Sequence, residues 1–329
     1  MLSSDVKKWI LYGVLGGSLL FNIVNLFSSE TSEETVAELD QSATQELDDV
    51  VASQLESTPA LENGNLSSEW KTIRTEVSHS LSRTFAKTGT DDADALSMVY
   101  SRLFVWDVNL TKDLYKGDKV DVVYRIGEDG FPDIAAARLH SKKLDKTLTA
   151  FKWKAPQDEY ASYWAYDGTE AAYRLKHSPI EQYEQITSLL KDGRGHKGMD
   201  FKTPVGTPSV SPKSGLVTRV NFGNFKYNGN CVEVEFADGT LAKWLHMEKI
   251  SVKAGQRVSK GTQVGLTGNT GRSMGPHLHY QLDRGRRNLD PVKYHGTYRR
   301  KLNSSDIPEF LRDIGPYINA LDNDFVAEL

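Results

Sequence analysis

Three short motifs in the second half of the chain contain four of its eight histidines. The first runs from His196 to Asp200 (His-Lys-Gly-Met-Asp), the second is centred on His246, and the third is His277-Leu-His279. Imidazole and carboxylate groups bind divalent metal ions and transfer protons near neutral pH. Residues of these types, grouped in this way, indicate a site for metal-assisted or acid–base chemistry.

The His277-Leu-His279 motif has the clearest geometric consequence. Residues two apart in a β-strand point to the same side, so the two imidazoles would project together from one face. Neighbouring imidazoles on a core strand are costly unless their nitrogens find partners. One metal ion, or one metal ion and one polarised substrate atom, would provide those partners.

The first motif supplies further ligands of the same kind. Gly195 and Gly198 argue against a helix there, so His196 and Asp200 are expected to meet across a strand and turn. Two histidines and an aspartate suit Zn²⁺, and three protein ligands leave the fourth tetrahedral position for water, as in catalytic zinc sites. Each motif alone is equally typical of a satisfied polar pair, and the inference depends on their joint occurrence. The helix-borne H-E-x-x-H motif is absent from the sequence.

Overall composition excludes several classes of protein. The chain has 329 residues and a net charge of −4, which does not favour binding to nucleic acid. Its single cysteine, Cys231, cannot form an internal disulfide and lies in an alternating apolar run, where it is expected to be a small core residue.

The histidine motifs fall within residues 180–298, which are predicted to be mainly β. Short alternating runs are separated by Gly, Pro, Asn and Asp at close intervals, a pattern typical of a small antiparallel sheet or sandwich. Residues 299–329 are expected to form a C-terminal tail with a short helix that begins near Pro308 and is capped by Asp306.

Residues 67–179 are predicted to form a small α+β module that precedes the β domain and has no catalytic constellation of its own. A first helix is expected to begin at Ser67 or Ser68, and a second to cover about Asp94–Phe104. The apolar residues at helical spacing in the first helix are Trp70, Ile73, Val77, Leu81 and Phe85. After Lys119 the period changes to two, which predicts strands.

The N-terminal part of the chain predicts a membrane anchor. Residues 1–8 contain Lys7 and Lys8 and are assigned to the cytoplasm, and residues 9–27 are an uncharged apolar stretch of transmembrane length. Residues 28–66 are acidic and polar and are expected to be a flexible linker. A cleaved signal peptide and a buried helix of a soluble domain are the alternative interpretations of residues 9–27.

The β domain resembles the catalytic domain of the lysostaphin/LytM-type zinc peptidases, a family of cell-wall endopeptidases. The resemblance covers about a third of the chain, and the middle module more loosely resembles the region before this domain in Gram-negative, membrane-anchored members. The segments that carry the first resemblance are Gly195–Phe201, Thr203–Pro208, Gly215–Val217, Leu245-His246, Gly255–Gly261, Gly265–Tyr280 and Asp290-Pro291. The segments that carry the second are Leu110–Tyr124 and Ala172–Pro179.

The resemblance implies a small antiparallel sheet with an open groove and one Zn²⁺ held by His196, Asp200 and His279. It implies that His246 and His277 are the catalytic pair beside the metal. The implied reaction is hydrolysis of peptide cross-links of peptidoglycan, such as D-alanine to diaminopimelate, by a metal-activated water in the periplasm, with the chain anchored in the inner membrane.

Two other functions fit the same resemblance. Some proteins with this domain have lost ligands and activate amidases without hydrolysis, whereas all five positions are present here. A wall-binding module with structural zinc is the third possibility. The resemblance also implies that the middle module shields or positions the groove, with a regulatory partner that the sequence does not identify.

Overall fold

The structure is a computed structural model that describes residues 61–62, 65–110, 112–190, 195–222 and 227–322. The predicted cytoplasmic segment 1–8, the predicted transmembrane segment 9–27 and most of the predicted linker 28–66 lie outside these ranges. Residues 61–62 and 65–66, at the end of that linker, form two short paired strands. Within the described ranges no helix has the length and apolar character needed to span a membrane.

The described residues form mostly short strands, with four helices among them. The strands are β1 (Leu61–Glu62), β2 (Asn65–Leu66), β3 (Lys71–Glu76), β4 (Lys119–Ile126), β5 (Pro132–Ser141), β6 (Lys146–Trp153), β7 (Ser162–Trp164), β8 (Arg174–Leu175), β9 (Gln185–Ser188), β10 (Met199–Lys202), β11 (Pro208–Val210), β12 (Gly215–Asn221), β13 (Asn230–Phe236), β14 (Leu241–Met247), β15 (Lys249–Ile250), β16 (Arg257–Val258), β17 (Gln263–Leu266), β18 (His277–Arg284), β19 (Arg287–Leu289) and β20 (Thr297–Tyr298). The helices are α1 (Leu81–Ala86), α2 (Ala93–Phe104), α3 (Pro291–His295) and α4 (Ile307–Asp322).

The chain divides into two compact units. The first comprises the described residues of Met1–Trp153, Tyr163–Thr169 and Lys301–Leu329, and the second comprises Lys154–Ser162 and Glu170–Arg300. The first unit contains a five-stranded sheet in the order β3-β4-β5-β6-β7, with helix α2 packed on strand β5. The predicted α+β character of this region and the helix near Asp94–Phe104 are confirmed.

The predicted first helix, starting at Ser67 or Ser68 and continuing to Phe85, is wrong. Lys71–Glu76 is strand β3, which pairs with β4 from Lys71↔Tyr124 to Glu76↔Lys119, and only Leu81–Ala86 is helical. The β-branched residues Thr72, Ile73 and Thr75 favour an extended backbone, and pairing with β4 provides the hydrogen bonds that such a backbone needs. The helix begins after Ser80, whose side-chain oxygen accepts a hydrogen bond from the backbone N–H of Arg83.

The C-terminal helix is longer than predicted and belongs to the first unit. Helix α4 has 16 residues and contacts strands β4, β5 and β6. Phe310 packs against Trp153 with ring centroids 5.5 Å apart, and Trp153 Nε1 donates a hydrogen bond to Asp313. Burial of its apolar stripe on this sheet explains why the segment is a structural element and not a tail.

The second unit is mainly β and antiparallel, as predicted for residues 180–298. Its largest sheet has the strand order β16-β12-β13-β14-β18-β10-β9, with β19 paired to β18, and a three-stranded sheet has the order β11-β17-β15. Strands β14, β18 and β10 lie side by side in the large sheet. The motifs that contain His246, His277, His279 and Asp200 therefore lie on neighbouring strands.

The limits of the second unit differ from the predicted boundaries at residues 179 and 298. Strand β8 pairs with β20 within this unit. Arg300 donates hydrogen bonds to the buried carboxylates of Asp158 and Glu170, and Glu170 also accepts from Arg174. Buried ionised groups need such partners, so these contacts bind the segments before residue 180 to the unit.

Strand β18 has an apolar face that anchors it in the core. Leu278, Tyr280 and Leu282 are fully buried, and their alternation leaves the histidines of the strand on the opposite face. The hydroxyl of Tyr280 lies 3.1 Å from Nε2 of His295 in helix α3. This contact joins the helix to the strand that carries His279.

Burial makes His295 a source of acid sensitivity. Its burial, together with the positive charge of Lys213, lowers the pKa of His295 to about 3. In the unfolded chain the pKa of a histidine is near 6.5, so the unfolded state binds a proton at His295 below that pH. The folded state does not bind this proton until about pH 3. Its contribution to stability is therefore complete above pH 6.5 and declines as the pH falls.

We expect His295→Gln to reduce the acid dependence of stability. Between about pH 6 and pH 4 the free energy of unfolding should fall more steeply with decreasing pH in the parent protein than in the variant. The difference between the two slopes should be up to about 1.4 kcal/mol per pH unit. Urea unfolding at several pH values, with a chelator present in all samples, measures the two slopes. Equal slopes would show that His295 does not carry this dependence.

Candidate metal centre

Two of the candidate ligands are brought together by the register of two adjacent strands. Asp200 of β10 lies directly opposite His279 of β18. Directly opposed residues on antiparallel strands have their side chains about 5 Å apart on one face of the sheet. Asp200 Oδ1 consequently lies 2.8 Å from His279 Nδ1, although the two residues are far apart in the sequence.

His196 completes the cluster from the segment that leads into β10. Its Nε2 atom lies 3.1 Å from Asp200 Oδ1 and 3.0 Å from His279 Nδ1. His196, Asp200 and His279 are also the one group in the described residues whose His, Cys, Asp or Glu atoms could jointly hold a metal ion. The structure thus brings together the three residues predicted as ligands.

The dimensions of this cluster fit zinc. Four ligands about 2.1 Å from Zn²⁺ in a tetrahedron are about 3.4 Å from one another. The three ligand atoms here form a triangle with sides of 2.8 to 3.1 Å, so a slight expansion accommodates the ion. The side chains of His196 and Asp200 are 14% and 17% exposed, so solvent reaches the site.

The outer nitrogen of His196 is oriented by the end of strand β9. His196 Nδ1 lies 3.1 Å from the carbonyl oxygen of Leu189 and 2.8 Å from Ser188 Oγ. A carbonyl oxygen only accepts, so Nδ1 carries the proton and Nε2 keeps its lone pair. This arrangement of a metal-binding histidine against a carbonyl group is common in metal sites.

The carboxyl group of Asp200 is held in its ionised form. Burial alone would raise its pKa, but without a metal ion the imidazoles of His196 and His279, when protonated on the nitrogen that faces Asp200, donate hydrogen bonds that place the pKa of Asp200 well below its usual range. A carboxylate that is ionised at neutral pH is the form that binds a cation.

His246 and His277 lie beside this cluster with the same tautomer. His246 Nδ1 lies 2.8 Å from the carbonyl oxygen of Thr270, and His277 Nδ1 lies 2.8 Å from that of Gly275. Each Nδ1 therefore donates its proton, and each Nε2 offers a lone pair. The two rings are 4.8 Å apart, and His277 Nε2 is 3.9 Å from Asp200 Oδ1.

The backbone of His246 is in an uncommon conformation. Its φ angle is +63°, in the left-handed region that residues with a side chain rarely adopt. Its backbone N–H donates to the carbonyl oxygen of Asn228 at 2.9 Å. Burial lowers the pKa of His246 to about 4, although the hydrogen bond with Thr270 opposes that shift, so the ring is neutral at neutral pH.

Gly198 is required by the close approach of β18. A Cβ atom at this position would collide with the carbonyl oxygen of Tyr280 and would lie 3.0 Å from His279 Nε2. The glycine between His196 and Asp200 therefore allows the first motif to lie against the strand that carries the third ligand.

The sequence predicted the five side chains that the structure brings together, but not the groups that orient them. The carbonyl oxygens of Leu189, Thr270 and Gly275 come from turns and strand ends, where no residue type marks the acceptor. Ser188 and Gln281 could have been noticed, since Ser188 precedes the first motif closely and Gln281 follows His279 on the same strand face. The ligand and catalytic roles of the five side chains remain predictions.

The arrangement is that of a β domain with a three-ligand site accessible to solvent, which is typical of catalytic zinc sites. Residues 194–291 match the model of Peptidase family M23. The chain contains a domain of Peptidase family M23.

Two curated proteins that are similar to this chain are named peptidoglycan DD-endopeptidases. The chain is 32% identical over 221 residues to the peptidoglycan DD-endopeptidase ShyA of Vibrio cholerae. The aligned region covers 63% of this chain and 49% of that protein. The chain is 26% identical over 267 residues to ShyB of the same organism, covering 77% of this chain and 61% of that protein. The chain therefore spans about half to three fifths of the length of these curated relatives.

One solved structure is also similar in sequence over most of the chain. The crystal structure of a zinc-containing peptidase from Vibrio cholerae is 27% identical, with a TM-score of 0.33, and the match covers 72% of this chain and 73% of that chain.

We expect zinc to stabilise the protein through these three ligands. After removal of metal with a chelator, added Zn²⁺ should raise the melting temperature, because zinc at 1,000 times its Kd adds about 4 kcal/mol of stability. His196→Ala, Asp200→Ala and His279→Ala should each abolish this rise, whereas His140→Ala, in the first unit, should leave it unchanged. Thermal unfolding with and without zinc, together with metal analysis, measures the effect. Full zinc content in any of the three ligand variants would contradict the assignment.

Proposed function

We propose that the protein is a zinc-dependent endopeptidase that hydrolyses peptide cross-links of bacterial peptidoglycan. The observation that carries the proposal is the convergence of three ligand atoms within 3.1 Å of one another, with two further histidines beside them. The names of the relatives that share the domain support peptidoglycan as the substrate.

Within this proposal each side chain has a distinct task. His196, Asp200 and His279 hold the metal, which when bound would act as a Lewis acid on a water molecule and on the scissile carbonyl group. His246 and His277 each offer an Nε2 lone pair, which suits them to accept a proton from the attacking water and to deliver one to the leaving amine. Once protonated, either imidazole can donate to the oxyanion that forms on the carbonyl group.

The substrate assignment predicts cleavage of cross-linked muropeptides. The protein should convert purified dimeric muropeptides into monomers, and the masses of the products should show that a peptide bond between the stems was cut. A chelator should stop the reaction and zinc should restore it. A protein that binds zinc but leaves every dimer intact, while stimulating an amidase, would favour the non-hydrolytic alternative and contradict this proposal.

The catalytic pair predicts a separation between metal binding and turnover. His246→Ala and His277→Ala should each lower the rate of muropeptide cleavage by about 10²- to 10⁴-fold, because each removes a proton-transfer group. Both variants should keep one zinc per chain, unlike the variants of the three ligands. Loss of zinc from either variant would show that the histidine is a ligand instead.

We also propose that residues 9–27 anchor the chain in the inner membrane, with the M23 domain in the periplasm. The support is the uncharged apolar stretch with Lys7 and Lys8 on one side. Protease added to spheroplasts should degrade the M23 domain of the full chain if this topology is correct. Protection of the domain in intact spheroplasts, together with its degradation after lysis, would contradict it.

The proposed gating by the middle module can be tested with the same cleavage assay. The second unit begins at Lys154 and includes the carboxylate partners of Arg300, so a protein that starts at Ile180 would leave that guanidinium without them. The informative comparison is therefore between the full chain and residues 154–300. Faster cleavage by residues 154–300 supports inhibition by the remainder of the chain, and slower or equal cleavage contradicts it.

A further inference from the structure

A polar row continues from the candidate metal centre along one face of strand β18. His279, Gln281 and Asp283 alternate with the buried Leu278, Tyr280 and Leu282, so they share the face opposite the core. Gln281 is only 9% exposed, and it therefore needs partners for both ends of its amide group.

The end of this row is fixed by charge. Asp283 accepts hydrogen bonds from Lys243 Nζ at 2.9 Å and from Asn288 Nδ2 at 2.6 Å. Lys243 lies on the adjacent strand β14, directly opposite Gln281. Lys243 also approaches Glu233 on β13 at 3.8 Å, so the ion pairs extend across the sheet away from the metal centre.

Asp283 determines which way the Gln281 amide faces. Gln281 Nε2 lies 2.9 Å and 2.8 Å from the two carboxylate oxygens of Asp283. An ionised carboxylate only accepts hydrogen bonds, so the NH₂ group must face Asp283 and the amide oxygen must face the other way. The reverse orientation would place an amide oxygen against a carboxylate and is excluded by repulsion.

The amide oxygen faces His279. Gln281 Oε1 lies 3.4 Å from His279 Nε2, and since this oxygen only accepts, Nε2 must carry the imidazole proton. The lone pair of His279 is then on Nδ1, the atom that lies 2.8 Å from Asp200 and 3.0 Å from His196.

We propose that Gln281 is a positioning residue for the metal centre and that Asp283 acts on the metal through it. Asp283 orients Gln281, Gln281 holds the proton of His279 on Nε2, and Nδ1 of His279 is thereby presented to the metal. The proposal rests on the proposed zinc site and extends it by two residues, neither of which touches the metal.

Removal of a group that hydrogen-bonds to a metal-binding histidine typically weakens metal affinity by about 10- to 100-fold. We expect Gln281→Leu, which removes the acceptor but keeps the bulk of the side chain, to weaken zinc binding by that factor. The dissociation constant is measured by competition with a chromophoric chelator. An unchanged dissociation constant in Gln281→Leu would overturn the proposal.

A double variant separates orientation from simple packing. In Gln281→Glu with Asp283→Asn, the carboxylate at position 281 would accept from His279 Nε2 and from the amide of the new side chain at 283. Opposite it, Lys243 retains an acidic partner on β18. The pair should restore zinc affinity to within about threefold of the parent protein, whereas Asp283→Asn alone should weaken binding because Gln281 can then turn over.

The hydrogen bond itself provides a readout that does not depend on activity. In the zinc-loaded parent protein the Nε2 proton of His279 should exchange slowly with water by NMR, and in Gln281→Leu it should exchange faster. Gln281→Met replaces Gln281→Leu if the latter does not fold, as judged by circular dichroism in the presence of chelator. Equal exchange in parent and variant, or a double variant as weak as Gln281→Leu, would overturn the proposal.

Zinc binding by the parent protein distinguishes a wrong role for Gln281 from the absence of a zinc site. If the parent protein binds no zinc, the proposed function fails. If the parent binds zinc and Gln281→Leu binds it equally well, only the role of Gln281 fails. Arg284→Gln on the same strand, whose guanidinium interacts with Asp238 and Thr240, serves as the matched control and should leave the dissociation constant unchanged.

Discussion

The structure of the site depends on the convergence of three lone pairs on one point. The protons on the outer nitrogens of His196 and His279 direct the inner nitrogens toward Asp200, and the three ligand atoms lie 2.8 to 3.1 Å apart. Lone pairs at that separation repel one another unless a positive charge lies among them. A bound cation relieves this repulsion, and in its absence a proton on one of the histidines would have to do so. The hydrogen bonds to surrounding carbonyl and amide groups therefore give the cluster an arrangement that could hold a metal ion.

The rigidity of the sheet explains how this convergence is maintained. Met199 and Phe201 of β10, like Leu278 and Tyr280 of β18, are fully buried on the face opposite Asp200 and His279. The ring of Tyr183 packs on Phe201 with centroids 5.1 Å apart, which adds support beneath β10. Since a register shift of one residue in β10 would move Asp200 to the core face, the apolar alternation fixes the position of Asp200 against His279. The same hydrophobic burial that stabilises the sheet thus determines the geometry of the site.

The sequence indicated which side chains come together, but it did not indicate all of the secondary structure. The placement of His277 and His279 on one strand face follows from a period of two and needs no tertiary information. The first helix was predicted wrongly because Trp70, Ile73 and Val77 have helical spacing, while the pairing of β3 with β4 decided the outcome. The limits of the second unit could not be predicted, since Arg300 and its partner Asp158 are separated by most of the unit that they help to close. Contacts between segments so distant in the sequence leave no local pattern.

His246 shows how strain and orientation are combined in one residue. A left-handed backbone costs a residue with a side chain about 1 to 2 kcal/mol, and at the end of β14 a regular extended backbone would have continued along the sheet. The hydrogen bonds of His246 with Asn228 and Thr270 offset part of that cost, because each satisfies a polar group that would otherwise be buried without a partner. The turned backbone places the imidazole 4.8 Å from the ring of His277, and the carbonyl oxygen of Thr270 fixes which nitrogen is free to accept a proton. The strained backbone therefore turns the imidazole of His246 toward His277, a direction that a regular extended strand would not give it.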